Sequence, residues 1–417
     1  MAGDNLPEEL YPSASLDLPS YKLTTILLPS PLLERSPIPI ATLLPSSLST
    51  TLLSANNIPS QAIPYSSDPS YEILSTPTKG FGMFATRLIE AGELILNEHP
   101  VLIVPEIPLT DGSPAWDNLG LSLPERERSE MLTMANCRPV EECPSPVEGI
   151  VRTNALILDL TPPRTKKNKR RSGNGDTGSS QRFGGVFLKI NRCNHSCGPN
   201  AAHKWDVSNL SSKLYALRKI EPGEEITIFY TDVTQSRDAR RAELKRNHRF
   251  LCTCPYCLPS PLSAPISTEA KASIASIISE SDENRYQLRH WLSTHPSYLK
   301  WSTDLCRADD TVTTSHRLAL DLINKESAHF LQHIFLEELA LCYAILGDED
   351  EFRFWAKEFI QKCKIEDPER ADEFEGWLEN PKRYKKWAWR QKQRDLREFD
   401  SYFSLSHDLG HSKRRYS

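Results

Sequence analysis

Three cysteines stand close together in the chain, in the pattern Cys252-x-Cys254-x-x-Cys257. This spacing lets three thiolates converge on one ion, but a tetrahedral zinc needs a fourth ligand. We expect Cys197 to supply it, because that residue lies in the other polar, turn-rich segment of the sequence. A site with four thiolates has no open position, so the predicted metal is structural. The alternative, three buried thiols without a metal, stays open at this point.

Disulfides are not expected to compete for the 10 cysteines of the chain. The first ten residues are acidic and lack the features of a secretory signal. No stretch approaches the roughly 20 consecutive apolar residues of a membrane-spanning helix. We therefore expect an intracellular protein, in the nucleus, the cytoplasm or both, with reduced thiols. The net charge of -5 gives no global attraction to nucleic acid or membrane, so neither is expected as a partner.

Composition divides the chain into segments. Residues 1–66 are rich in Leu, Pro and Ser, which favours a disordered or loosely packed extension. Short apolar runs separated by turn residues then predict small β-sheets over residues 67–240. Insertions interrupt this region at about 105–150 and 162–182. The cysteine-rich segment occupies residues 241–260.

The last segment, residues 261–417, shows helical periodicity, so the fold class is α+β. Its clearest piece is a pair of amphipathic patterns on either side of Gly347-Asp348, which is typical of a tetratricopeptide hairpin. We predict an all-α, tetratricopeptide-like region with one such hairpin and no extended array. A basic run at 164–171, within the second insertion, is either a nuclear-localisation or acidic-partner patch or a solvated loop.

Four further segments carry polar or glycine-containing motifs: Lys79-Gly80-Phe81-Gly82-Met83-Phe84, Arg152-Thr153-Asn154, Asn194-His195-Ser196-Cys197-Gly198-Pro199-Asn200 and Gly223-Glu224-Glu225-Ile226-Thr227-Ile228-Phe229-Tyr230. Gly80 and Gly82 most simply indicate a tight turn, although residues without side chains also let a ligand approach the backbone. His195 has no Gly-x-Ser-x-Gly elbow beside it, so a structural or ligand-binding histidine is favoured over a general base. Tyr230, taken alone, indicates packing.

Together and in this order, these segments resemble the SET domain, in particular that of SET-and-MYND proteins and their fungal relatives. The resemblance covers residues from about 68 to 260 and rests on residues 194–200, residues 223–230 and the cysteine cluster. It implies small curved β-sheets, a pseudoknot that threads residues 194–197 under a neighbouring loop, and a post-SET zinc site. It also implies methyl transfer from S-adenosylmethionine to a lysine of a protein substrate, histone or non-histone. A monomer is expected.

The resemblance also implies roles for individual residues. The residues that correspond to the donor-binding positions of the family are Lys79, Gly80, Phe81, Gly82, Met83, Phe84, Asn154, Asn194, His195, Tyr230 and Phe250, the last as the aromatic that stacks on adenine. Tyr230 also corresponds to the catalytic tyrosine. The residues that correspond to the zinc ligands are Cys197, Cys252, Cys254 and Cys257.

Two departures from the family pattern bear on function. Residues 98–151 hold only Cys137 and Cys143, too few for the two zinc sites of a MYND finger. His248 stands where the family often has a second tyrosine, two residues before Phe250, which puts the lysine channel and the number of methyl groups in question. The alternative is therefore a catalytically weak or inactive SET scaffold for protein–protein interaction. A zinc-dependent nucleic-acid binder is more distant, because residues 252–257 are too few to present a recognition helix.

Overall fold

The computed structural model describes residues 21–30, 37–53, 59, 61–64, 68–106, 114–161, 182–258 and 268–399, with the side chains of Leu53 and of residues 268–272 left aside. The strands are β1 Tyr21–Leu28, β2 Ile38–Pro45, β3 Tyr71–Thr76, β4 Gly80–Ala85, β5 Leu94–Glu98, β6 Leu102–Pro105, β7 Leu156–Asp159, β8 Arg182–Val186, β9 Asn194–His195, β10 Ala201–Asp206, β11 Ser211–Ala216 and β12 Glu225–Ile228. They form sheets with the orders β1-β2-β6-β8-β7, β10-β11-β5 and β3-β4-β12-β9.

Helices lie between the strands and fill the C-terminal part of the described chain. They are α1 Ser46–Leu53, α2 Pro114–Leu121, α3 Glu125–Met131, α4 Pro146–Asn154, α5 Arg237–His248, α6 Thr268–Thr294, α7 Tyr298–Thr303, α8 Thr311–Glu326, α9 Gln332–Leu346, α10 Glu349–Cys363 and α11 Pro368–Glu379. Short 3-10 turns occupy Ile190–Arg192, His329–Leu331 and Pro381–Arg383, and residues 389–399 are also helical. Among the described residues, none of the helices combines the length and the apolar character that crossing a bilayer requires.

The N-terminal segment differs from the predicted disordered or loosely packed extension over residues 1–66. Strand β1 pairs antiparallel with β2 along its whole length, and β2 pairs parallel with β6. Ile26 and Ile40 are buried in the same core as the sheets that follow. The prediction was wrong here because Pro39 and Pro45 fall near the ends of β2, and the aliphatic run between them still forms a strand. Within this segment, residues 1–20, 31–36, 54–58, 60 and 65–66 lie outside the described residues.

The two predicted insertions have different outcomes. In the first, α2 and α3 bury Trp116, Leu119 and Met131 in a second core, so that this stretch belongs to the fold. Of the second, residues 162–181 lie outside the described residues, and the basic run at 164–171 is among them. The predicted boundary between residues 240 and 241 falls inside α5, so the cysteine-rich segment is continuous with a helix of the preceding region.

One sheet collects three of the sequence motifs. Strand β4 pairs antiparallel with β12, which sets Glu225 opposite Phe84. Strand β9 pairs parallel with β12, which sets Asn194 beside Thr227 and His195 beside Ile228. The glycine turn, residues 194–200 and the strand before Tyr230 therefore meet at one edge. The threading of a pseudoknot stays a prediction.

Helical periodicity over the C-terminal region is confirmed. Helices α9 and α10 are joined by Gly347 and Asp348, as the sequence predicts. Gly347 has φ +80°, a left-handed conformation that favours glycine at a helix end. The Asp348 side chain accepts a hydrogen bond from the Glu351 N–H at 3.1 Å and so caps α10. This region has an apolar core of its own, which extends from α6 to α11.

Candidate active site and metal centre

A cavity of about 1680 Å³ opens beside the sheet that carries the motifs. The residues predicted to bind a donor that line it are Lys79, Gly80, Phe81, Asn154, Asn194, His195, Tyr230 and Phe250. The other three predicted residues, Gly82, Met83 and Phe84, are not part of its wall. Met83 is fully buried in the core, because alternate side chains of β4 point to opposite faces of the sheet.

The two glycines of the first motif have different surroundings. Gly80 has φ +71°, and a Cβ at this position would meet nothing within 4 Å, so its backbone is open to the cavity. Gly82 faces other side chains: a Cβ there would lie 3.0 Å from Glu225 Oε1 and 3.1 Å from Asn194 Nδ2. The glycine at position 82 therefore makes room for a polar contact inside the protein, while the one at 80 allows a ligand to approach.

The Glu225 carboxylate contacts residues of two other motifs. Asn194 Nδ2 donates hydrogen bonds to Glu225 Oε1 at 2.8 Å and to the Phe81 carbonyl oxygen at 3.2 Å. Lys79 Nζ forms an ion pair with Glu225 Oε2 at 2.7 Å. One carboxylate thus holds both Asn194 and Lys79, which line the same cavity. The sequence places Glu225 within a motif but does not reveal this role.

His195 connects the cavity with the cysteines. Its Nδ1 accepts the backbone N–H of Tyr230 at 3.0 Å, and its Nε2 lies 3.3 Å from Cys197 Sγ. Burial lowers the pKa of His195 to about 4, so the ring is neutral near pH 7. Since Nδ1 is an acceptor, the single ring proton of this tautomer sits on Nε2 and points at the Cys197 sulfur.

Tyr230 lies two residues after the end of β12, and its hydroxyl donates a hydrogen bond of 2.6 Å to the Cys193 carbonyl oxygen. Burial raises the pKa of Tyr230 well above its usual value, so that the side chain stays a phenol at neutral pH. Because its proton is engaged by Cys193, the hydroxyl oxygen offers its lone pairs to the cavity. This hydroxyl can therefore accept a hydrogen bond but is not a base.

Asn154 lies at the end of α4 and lines the cavity chiefly as a structural residue. Its Nδ2 donates hydrogen bonds to the carbonyl oxygens of Ala135 and Ile150, each at 2.7 Å. The backbone carbonyl oxygen of Asn154 accepts a hydrogen bond from Asn191 Nδ2 at 2.7 Å. Both amide hydrogens of Asn154 are thus used within the protein, and only its side-chain oxygen is available to a ligand.

His248 contributes an imidazole to the wall where the family pattern often has a tyrosine. Its ring centroid lies 5.0 Å from that of Tyr230 and 6.4 Å from that of Phe250. Burial lowers the pKa of His248, which a hydrogen bond to the Thr153 backbone partly opposes.

The four predicted metal ligands form one cluster. The Sγ atoms of Cys197, Cys252, Cys254 and Cys257 all lie within 4.8 Å of one another, and each cysteine is free of disulfides. Three thiols come from a single turn, and Cys197 comes from the loop after β9. A buried guanidinium adjoins them, because Arg240 Nε donates to Cys197 Sγ at 3.2 Å. Four converging sulfurs are the donor set that zinc prefers in closed structural sites.

A family model described as the SET domain matches residues 80–231. The chain carries a SET domain. The matched residues begin at the glycine turn that opens β4 and end just after Tyr230, so they include most of the cavity wall. The cysteines at 252–257 follow the matched part of the chain.

Relatives share parts of this region. Histone-lysine N-methyltransferase set5 of Schizosaccharomyces pombe (strain 972 / ATCC 24843) is 29% identical over 188 residues, which make up 45% of this chain and 50% of that protein. Protein-lysine N-trimethyltransferase SMYD5 of Homo sapiens is 40% identical over 88 residues, 20% of this chain and 21% of that protein. A SET and MYND domain-containing protein of Dictyostelium discoideum is 34% identical over 114 residues, 27% of this chain and 30% of that protein. The chain therefore spans half or less of the length of these relatives.

The sequence alone does not indicate the roles of two residues at the cavity wall and the cysteine cluster. Arg240 stands in a run of charged residues and gives no signal that it is buried. Phe330 reaches the cavity from the helical region, where its ring lies 5.3 Å from that of Phe229. Contacts between segments this far apart in sequence depend on tertiary packing, which local periodicity does not report.

Proposed function

We propose that the chain is an S-adenosylmethionine-dependent methyltransferase that acts on the ε-amine of a lysine in a protein substrate, histone or non-histone. The SET domain supports this proposal, as do relatives whose names describe histone-lysine and protein-lysine methyltransferases. One observation carries it: Asn194, His195, Tyr230 and Phe250, which come from three separate segments of the sequence, line the same cavity.

The cavity fits a ligand with an aromatic and a charged part. S-adenosylmethionine supplies a methyl group that is activated by attachment to a sulfonium. The residues that would hold it are Gly80, through its open backbone, and Asn194, His195 and Phe250, which line the cavity. Phe250 lines the cavity, and its ring supports an aromatic contact with adenine.

The protein's own part in the reaction is to neutralise and orient the lysine. A lysine ammonium has a pKa of about 10.4 in water, so little free amine exists at pH 7. An aromatic wall that includes Tyr230 and His248 disfavours the charged form and lowers that pKa. The Tyr230 oxygen, whose proton is held by Cys193, accepts an amine N–H and directs the nitrogen lone pair away from itself. Holding the reacting groups in line removes a large part of the barrier.

We further propose that Cys197, Cys252, Cys254 and Cys257 hold a structural zinc ion. The closed set of four sulfurs supports a structural and not a catalytic role. The contact between His195 and Cys197 supports a coupling between the metal and the donor side of the cavity. The helical region, with its α9–α10 hairpin, is proposed as a tetratricopeptide-like platform beside the SET domain. A protein substrate of this kind would place the enzyme in the nucleus or cytoplasm.

Isothermal titration of the full, zinc-loaded chain with S-adenosylmethionine tests the proposal. We expect saturable binding to the wild type and its loss in Asn194→Ala, which removes the amide that joins Phe81 to Glu225. Asn209→Ala is the matched control, because Asn209 is an exposed loop residue whose side chain donates to Asp206 at 2.7 Å. It should bind as the wild type does.

The scaffold alternative has one observation in its favour, the imidazole of His248 in the wall beside Tyr230. It predicts a folded, zinc-containing protein that shows no heat of binding with the methyl donor. That outcome would replace the enzyme proposal with a protein–protein interaction role.

A further inference from the structure

Two arginines are almost completely buried beside the four cysteines. Arg240, on α5, is 0% exposed, and Arg285, on α6 of the helical region, is 1% exposed. A buried guanidinium keeps its positive charge and therefore needs negative charge nearby. The groups around these two side chains show where that negative charge must come from.

The guanidinium of Arg240 points at the sulfur atoms of two cysteines. Its Nε donates to Cys197 Sγ at 3.2 Å, and a terminal nitrogen lies 4.0 Å from Cys257 Sγ. Its contact with the Asp282 carboxylate is stretched to 4.0 Å, and Asp282 is itself 30% exposed. Protonated thiols would leave this buried cation poorly compensated.

Arg285 reaches the same cluster from the helical region. One terminal nitrogen donates to the carbonyl oxygens of Cys197, at 3.1 Å, and of Val233. Its guanidinium lies over the Tyr256 ring, 5.3 Å from the centroid, within the cysteine-rich turn. The buried Glu326 carboxylate, 3.0 Å from Nε, provides one negative charge. Two cations therefore face one buried carboxylate.

Zinc would complete this balance. Metal-bound cysteines are thiolates, so one divalent cation and four thiolates form a dianion. Two guanidinium groups and one carboxylate leave one uncompensated positive charge, which this dianion more than offsets. We propose that Arg240 and Arg285 are the counter-cations of the zinc–thiolate cluster, so that metal binding also holds the helical region against the SET domain. The inference rests on the proposed zinc site.

The surrounding contacts support this inference. The boundary where the cysteine-rich turn and the rest of the SET region contact the helical region is called the joint below. Tyr256 and Ser327 share a hydrogen bond between their hydroxyls across this joint. Gly198 is packed so closely there that a Cβ would lie 2.2 Å from Tyr256. Because linkage is reciprocal, a metal that strengthens docking of α6 is itself bound more tightly when α6 is docked.

Zinc affinity, measured by competition with a chromogenic chelator on the full chain, is the first test. Arg285→Met should weaken zinc binding by about 10- to 100-fold, the range for loss of an outer-shell partner of a metal ligand. Arg285→Lys, which keeps the charge, should recover part of this loss. Arg390→Met is the matched control, because Arg390 is 0% exposed in the helical region and is held by Trp301 and Asp309, away from the cysteines. It should lower the melting temperature and leave zinc affinity unchanged.

Hydrogen exchange on the wild type provides a test that does not depend on a variant folding. Chelating the zinc should speed exchange of the amides around Arg285 in α6 more than those of α10. A wild type that binds zinc, with equal affinity in Arg285→Met, would overturn the inference and leave the zinc site standing. Unchanged exchange in α6 on chelation would also overturn it. A wild type that binds no zinc would remove the zinc site and this inference together.

Discussion

The proposed chemistry depends most on the hydroxyl group of Tyr230. Tyr230→Phe keeps the ring and its contacts with His195 and His248 but removes the oxygen. We expect methyl transfer to fall by about 100-fold or more, as when a single polar group at a reacting centre is removed. The Cys193 carbonyl loses its partner, so unfolding should also become easier by about 1–3 kcal/mol.

Transfer of labelled methyl groups to a histone mixture would measure this effect. Tyr286→Phe is the control, since that tyrosine lies on α6 and is 57% exposed. Zinc content and donor binding should be the same in both variants. Full activity of a folded Tyr230→Phe protein would exclude the hydroxyl from the mechanism.

At the scale of elements, β1 and β2 belong to the core and are not an appendage. Ile26 and Leu27 are neighbours in β1 that face opposite sides of the sheet, with exposed fractions of 1% and 57%. Ile26→Ala should therefore destabilise the protein by about 2–5 kcal/mol, the usual cost of such a cavity. Leu27→Ala should change little. Urea unfolding of the two variants would measure the difference, and equal midpoints would contradict a packed β1.

The same elements show which structures could be predicted from the sequence. Residues 194–200 and 223–230 have specific patterns of residue types. The order of these motifs along the chain predicted that they would form one site. The α9–α10 hairpin was predictable because glycine and aspartate interrupt a clear helical period. In contrast, β1 and β2 could not be predicted, because the segment that contains them is rich in proline and leucine and its composition resembles that of a disordered segment. Arg240 and Arg285 were unpredictable, because their burial results from packing between distant helices.

At the scale of the whole molecule, the SET domain and the helical region meet along a surface that carries paired ionisable groups. Tyr215 donates a hydrogen bond to Glu366 at 2.7 Å, and Lys204 pairs with the same carboxylate at 3.1 Å. Lys362 Nζ donates to the Leu217 carbonyl oxygen at 3.3 Å. Phe330 of the helical region also lines the cavity, so this surface borders the proposed active site.

His329 makes this surface sensitive to acid. Burial, together with the positive charges of Lys362 and Arg218, lowers the pKa of His329 to about 4. A histidine in the unfolded chain has a pKa of about 6.5, so between these values only the unfolded chain binds the proton. Stability from this residue is therefore complete above about pH 6.5 and is lost as the pH falls toward 4. A hydrogen bond with the Gln332 side chain opposes this shift only in part.

His329→Leu removes the titratable ring and leaves an apolar side chain at the surface between the SET domain and the helical region. The wild type should lose about 1–2 kcal/mol more stability than the variant between pH 7 and pH 5.5, since one pKa unit is worth about 1.4 kcal/mol. Glu98 works in the opposite direction, because burial raises its pKa to about 7 and favours the folded state as the pH falls. Its contribution is common to both proteins and cancels in the comparison. Urea unfolding at the two pH values, with zinc in excess, gives the four free energies, and equal losses in both proteins would show that His329 does not govern the acid response of the joint.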